Sequence, residues 1–239
     1  MIEIKGLIVT FKDFKLEIPH LRIKDSEYFI VMGPSGVGKT VFLHTLAGFI
    51  KPNSGRIFVD NLDITDTRPE ERGFPIVPEE YCLFPNMSVY ENIIFGLKFR
   101  GLKRGDLEKR IKDIINALEI DQILDRQPDT LSAGEKQRVA IARALAVNPR
   151  VILLDEPLRN LDPKLHGKAG EFLKRLHLKF KFTAIHVTHN IVEAITLGER
   201  IAYLEDGKLI GVFSSREFLK TNYGKLYLEA LKPIKEHLT

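Results

Sequence analysis

The feature that most constrains this chain is the segment Gly33-Pro34-Ser35-Gly36-Val37-Gly38-Lys39-Thr40. It lies between an apolar run, Tyr28-Phe29-Ile30-Val31-Met32, and the helix-like stretch from Val41 to Gly48. The spacing G-x-x-x-x-G-K-[ST] needs a strand before it and a helix after it, and both flanks have that character. Glycines 33, 36 and 38 let the backbone turn tightly so that amide N–H groups converge on phosphate oxygens, while the helix that begins there adds the positive end of its dipole. Lys39 is placed to reach the β- and γ-phosphates and Thr40 to offer its hydroxyl to Mg²⁺. The residues expected to hold a purine nucleoside triphosphate are therefore Gly33, Pro34, Ser35, Gly36, Val37, Gly38, Lys39, Thr40 and Val41.

A second acidic centre is needed beside such a loop. The run Val151-Ile152-Leu153-Leu154 has the composition of a buried parallel strand and ends in Asp155-Glu156. Asp155 is expected to support Mg²⁺, directly or through water, and Glu156 to polarise the water that attacks the γ-phosphate. Leu131-Ser132-Ala133-Gly134-Glu135 opens a further helix, with Ser132 at the N-cap position and Glu135 three residues later completing a capping-box pattern.

The order of Gly33 to Thr40, Glu79 to Pro85, Leu131 to Glu135, Asp155-Glu156, Leu161-Asp162 and His189 resembles that of the ATP-binding-cassette (ABC) ATPases, and it covers nearly the whole chain. The resemblance implies an α/β P-loop NTPase core with an N-terminal antiparallel β subdomain and an inserted helical subdomain. Residues 1–78 and 136–239 would form the nucleotide-binding core, with the hinge and helical subdomain at about 79–135. It also implies that two copies stack head to tail, so that Ser132, Ala133, Gly134 and Glu135 of one clasp the γ-phosphate held by the loop of the other. In that family His189 would hydrogen-bond the γ-phosphate and help Glu156 orient water, and Asp162 would run along the dimer seam. The nearby His186, three residues earlier, reads as structural.

Two positions depart from the family pattern. Glu79 stands where a glutamine usually ligates Mg²⁺ and senses the membrane partner; a carboxylate also ligates the ion, but it adds negative charge beside Asp155 and Glu156. Arg159 replaces a small polar residue near the dimer seam, where its charge would meet phosphate, a partner carboxylate or solvent. For adenine stacking, Phe11 is the first choice and Phe14 the alternative.

The remaining composition narrows the setting. At 239 residues the chain is long enough for one α/β domain with a subdomain. No apolar run approaches the roughly 20 residues of a membrane-crossing helix, and the opening Met1-Ile2-Glu3-Ile4-Lys5 does not have the form of a signal peptide. The single cysteine, Cys82, is expected to pack in the interior of a protein of the reducing cytosol. A net charge of +4 does not point to nucleic acid: cations alternate with carboxylates, as in Lys103 to Arg110, in the manner of a solvated helix face.

The stretch Tyr81 to Ile93 resembles importer ATPases, in which the surface carrying Phe84 and Pro85 receives a coupling helix from the membrane subunit. The expected function is thus the ATP-hydrolysing, Mg²⁺-dependent subunit of an importer. It would sit peripherally on the cytoplasmic face of the membrane, dimerise, dock on two transmembrane permease subunits and receive substrate indirectly from a binding protein. The short C-terminal region and the Val-Pro-x-x-Tyr hinge resemble molybdate or tungstate importers of archaeal type. The alternative is a soluble cassette ATPase acting in DNA repair or translation.

Overall fold

A computed structural model describes residues 1–99, 104–160 and 163–236. Leu161, Asp162 and Lys103 lie outside the described residues. In chain order the elements are β1 (Ile2–Phe11), β2 (Phe14–Ile23), β3 (Tyr28–Met32), α1 (Lys39–Ala47), β4 (Ser54–Val59), β5 (Leu62–Asp63), α2 (Pro69–Arg72), β6 (Ile76–Val77), α3 (Val89–Ile94) and α4 (Arg104–Leu118). They continue with α5 (Ala133–Ala146), β7 (Val151–Asp155), α6 (Pro163–Phe180), β8 (Thr183–Thr188), α7 (Ile191–Leu197), β9 (Arg200–Glu205), β10 (Lys208–Ser214), α8 (Ser215–Phe218) and α9 (Asn222–Glu236). The chain divides into two compact units, Met1–Arg72 with Thr183–Thr239, and Gly73–Phe182.

In the first unit the strands run in the order β5-β4-β1-β2-β10-β9-β3-β8. The expected N-terminal antiparallel strands are β1 and β2, which close at the pair Phe11 and Phe14. Their inward residues change phase midway: Ile2 and Ile4 are buried at one end of β1, Leu7 and Val9 at the other. One extra residue between Lys5 and Ile8 shifts the register against β4, and Gly6 takes φ 59° there, so the alternation restarts on the opposite parity. The strands β9, β3 and β8 are parallel. All of β3 and β8 is buried, which is why Tyr28 to Met32 reads as an unbroken apolar run. The Asp206-Gly207 pair joins β9 to β10 with φ 46° and 74°, the two positive angles that a tight hairpin turn requires.

In the second unit β6 and β7 form a parallel pair with Val77 opposite Leu154. Helix α5 packs on α3 and α4. Its alanines 140, 142, 144 and 146 are buried with Val139, Ile141 and Leu145, while Val89, Ile93, Ile114 and Leu118 supply the facing bulk. Small residues on α5 let the backbones approach and larger ones fill the gaps.

Candidate nucleotide site

The phosphate-type loop lies in the first unit, between β3 and α1. Gly38 caps α1 at φ 97°, ψ 14° without a side-chain hydrogen bond, so the first amides of the helix point into the loop. Glycine is required at 38 twice over: a side chain would be strained at that φ, and a Cβ would collide with Cζ at the tip of the Phe14 ring. Gly33 has a different reason from the tight turning expected of it. Its backbone angle is ordinary, but a Cβ would collide with the carbonyl oxygen of Leu204 on β9. Lys39 is buried, and its Nζ donates to the carbonyls of Gly33 and Pro34 at 2.9 and 2.8 Å. The ammonium thus bridges the carbonyls at the start of the loop from the first residue of the helix.

A cleft of about 490 Å³ adjoins the loop, lined by Phe14, Lys15, Ser35, Gly36, Val37 and Lys208 among others. Phe14 is committed to Gly38, whereas Phe11, its partner across the hairpin, leaves 45% of its surface open. Met32 pairs with Thr188, so the loop after β3 and His189 after β8 leave the same edge of the parallel strands. His189 is exposed there; the Asn190 side chain next to it caps α7 by accepting from Val192 and Glu193. His186 is fully buried, with Nδ1 3.1 Å from the Tyr28 hydroxyl and Nε2 3.1 Å from Glu193 Oε2. Burial, and then Glu193, hold the Tyr28 hydroxyl well above its ordinary range, so it stays protonated.

The second unit carries the acidic and signature residues. Because β6 and β7 are parallel, Glu79, Asp155 and Glu156 all leave from one edge of that pair. Asp155 is buried, and Glu156 takes φ 47°, a left-handed angle that turns the chain sharply at the strand end. The turn closes with the Arg159 amide donating to the Glu156 carbonyl at 3.1 Å. Arg159 then reaches Glu79: its Nη1 lies 3.0 Å from each carboxylate oxygen, and Asn160 Nδ2 donates to the Glu79 carbonyl at 3.0 Å.

Ser132 and Glu135 form the expected capping box. The Ser132 amide and hydroxyl donate to Glu135 Oε2 at 2.7 and 2.8 Å, and the Glu135 amide returns to Ser132 Oγ. These bonds, led by the Ser132 amide, hold the Glu135 carboxyl below its ordinary range. The result is a positively polarised helix start at which Ala133 is exposed and Gly134 half-buried.

The hinge from Tyr81 to Met87 is more tightly held than its sequence announces. Tyr81 and Cys82 both take positive φ, 62° and 44°, and their carbonyls accept from Arg143 of α5 at 2.9 and 2.7 Å. Cys82 does not pack as expected; it is exposed, on a turn tied down through its carbonyl oxygen. The Arg143 guanidinium stands 5.3 Å over the ring of Phe84, which also meets Phe95 at 4.4 Å. Asn92, fully buried in α3, accepts from the Phe84 amide and donates to the carbonyls of Phe84, Met87 and Ser88. Phe84 is half-buried and Pro85 exposed. Sequence reasoning missed Asn92 and Arg143; the one available signal was a polar amide inside the apolar stretch Val89 to Ile94.

Among the described residues, no group of three or more His, Cys, Asp and Glu side chains is arranged to hold a metal ion by itself. The Thr40 hydroxyl of the first unit and the Asp155 and Glu79 carboxylates of the second are each hard oxygen donors of the kind that Mg²⁺ takes.

A family model described as ABC transporter matches residues 16–159. The molybdate/tungstate import ATP-binding protein WtpC of Thermococcus kodakarensis is 46% identical over 90% of this chain, which spans 65% of that protein's length, a little under two thirds. The protein of the same description from Methanocaldococcus jannaschii is 40% identical over 97% of this chain and 76% of its own length. Among solved structures, the dimeric cassette MJ0796, described as a bacterial ABC transporter cassette, superposes with a TM-score of 0.77. It is 33% identical, covering 90% of this chain and 99% of that one.

Proposed function

Because this chain belongs to the ABC transporter family of ATP-binding cassettes, we propose that it is the ATP-hydrolysing subunit of a membrane importer, for molybdate, tungstate or a related oxyanion. The observation that carries the nucleotide reading is the loop itself: left-handed Gly38 at the head of α1, with Lys39 folded over the loop and His189 leaving the same strand edge. The substrate class rests on the 46% identity to a protein described as importing molybdate or tungstate. That relative is the longer protein, so identity rather than shortness is what supports the assignment.

In this reading the amides of residues 36–40 and the Lys39 ammonium receive the phosphates, while the open face of Phe11 stacks on adenine. When bound, Mg²⁺ would polarise the γ-phosphate, held through Thr40, Asp155 and Glu79. Glu156 takes the proton side of the attacking water, and His189 steadies the γ-phosphate. The helix start at Ser132 to Glu135 faces the nucleotide of a second copy, so ATP joins two chains and hydrolysis releases them. The hinge surface at Phe84 and Pro85 passes the motion to two permease subunits at the cytoplasmic face of the membrane. Among the described residues, no helix is long and apolar enough to cross it.

Two experiments test this. With saturating ATP and Mg²⁺, Glu156→Gln is expected to run as a dimer by light scattering, because the nucleotide bridge persists; a monomer under those conditions would refute the shared site. In cells, Lys39→Ala is expected to abolish molybdate and tungstate uptake, and retained uptake would refute the importer assignment.

A further inference from the structure

The ion pair between Glu79 and Arg159 joins the two positions that depart from the family pattern, and its geometry gives it a purpose. The two residues are 80 positions apart, yet consecutive residues of the turn after Glu156 grip Glu79 at two places, Arg159 at the carboxylate and Asn160 at the backbone carbonyl. Their side chains keep 36% and 53% of their surface in solvent, so the pair contributes little to folding stability. Its electrostatic setting is less ordinary. Glu79, Asp155 and Glu156 leave one edge of two paired strands about 4.8 Å apart, which concentrates negative charge at that edge. Arg159 offsets one of those charges. It also occupies both oxygens of Glu79, which are the atoms that a metal ion would take.

We propose that Arg159 is a positioning residue for Glu79: the guanidinium holds the carboxylate neutralised and gives it up to Mg²⁺ when Mg·ATP binds, one cation replacing another. This rests on the nucleotide reading above. It assigns Arg159 an action through Glu79 rather than on phosphate. Removing the guanidinium leaves an uncompensated carboxylate, which repels metal-free ATP and binds the metal more readily. The dependence of nucleotide affinity on Mg²⁺ therefore becomes steeper.

The test is the ratio of dissociation constants for a fluorescent trinitrophenyl-ATP measured in EDTA and in Mg²⁺. Arg159→Gln is expected to raise that ratio about fivefold, the size of one partly screened charge contact. In a Glu79→Gln background the same substitution is expected to change it less than twofold. Arg159→Lys, which keeps the charge and loses the two-oxygen geometry, is expected to fall between wild type and Arg159→Gln. Thermal unfolding within about 2 °C of wild type shows that each variant is folded. An equal change in both backgrounds would mean that Arg159 acts on phosphate directly, and no change in either would mean that it positions nothing; both overturn the proposal. Failure of the unaltered chain to bind the probe under either condition would instead overturn the nucleotide reading.

Discussion

At the scale of single residues, the loop glycines show that one motif letter stands for different physical demands. Gly33 is needed because the Leu204 carbonyl comes too close for any Cβ, and Gly38 because both its φ and the Phe14 ring exclude one. Gly38→Ala therefore meets two costs: about 1 to 2 kcal/mol for a left-handed alanine and about 1 to 3 kcal/mol for overpacking against the ring. Urea denaturation is expected to show a loss of about 2 to 4 kcal/mol, since the ring and the loop can share part of the adjustment. Adding Phe14→Ala to Gly38→Ala should cost less than Phe14→Ala costs on its own, because the cavity it opens accepts the new methyl. Strictly additive losses would show that the ring is not what excludes a side chain at 38.

At the scale of elements, α5 does more than present its N-terminus. One end carries the Ser132–Glu135 capping box, and a residue from its last turn, Arg143, holds the hinge by two carbonyls. Burial pushes the Arg143 guanidinium below its ordinary range, yet it stays charged at any working pH, so the clamp is a fixed charge and not a titrating one. Arg143→Leu keeps bulk over Phe84 but leaves the carbonyls of Tyr81 and Cys82 without this donor, at positive φ angles that need support. We expect a loss of about 1 to 3 kcal/mol, with faster hydrogen exchange confined to residues 78–92. Exchange that rises evenly along the chain would count against a local clamp. This element also marks what could be read in the sequence. The strand-loop-helix of β3 and α1, the capping box and the Asp206-Gly207 hairpin were legible because each is a contiguous pattern with its own local chemistry. The Arg143 clamp, the contact of Arg159 with Glu79, and the four hydrogen bonds of Asn92 were not. The first two join residues about 60 to 80 positions apart, and no spacing rule specifies a partner at that separation. Asn92 carries its polar group on an otherwise apolar face, where burial alone decides whether it faces solvent or a loop. Cys82 was misplaced for a related reason: its exposure follows from a backbone turn set by Arg143, not from its own apolarity.

At the scale of the whole molecule, acid acts on each unit through carboxylates held low by their own neighbours. In the first unit, Glu3 is buried between strands and bonded to His20, then Arg22 and Lys5, which hold its carboxyl down to about 2 from an ordinary 4.5. Asp63, bonded chiefly to Thr65 and also to Arg56, is held at about 2 from 3.8, and Glu17, Glu71 and Glu217 are also held low. In the second unit Glu135 is held low as well. A carboxyl depressed in the folded state contributes stability that is fully present above its unfolded pKa and is lost as the pH falls through its folded value. For Glu3 and Asp63 that window runs from about pH 4.5 down to about 2. The chain has no tryptophan to report such a change by fluorescence, so hydrogen exchange followed by mass spectrometry is the suitable measurement. Between pH 4.5 and 2.5, with exchange rates corrected for pH, peptides from residues 1–72 and 183–236 are expected to lose protection progressively. Glu3→Gln should reduce that slope in the first unit, because a glutamine does not titrate, while leaving the pH response of peptides from 104–160 as it is in the unaltered chain. If Glu3→Gln left the acid response of the first unit unchanged, the bonds to His20, Arg22 and Lys5 would not be what sets the acid limit of this sheet.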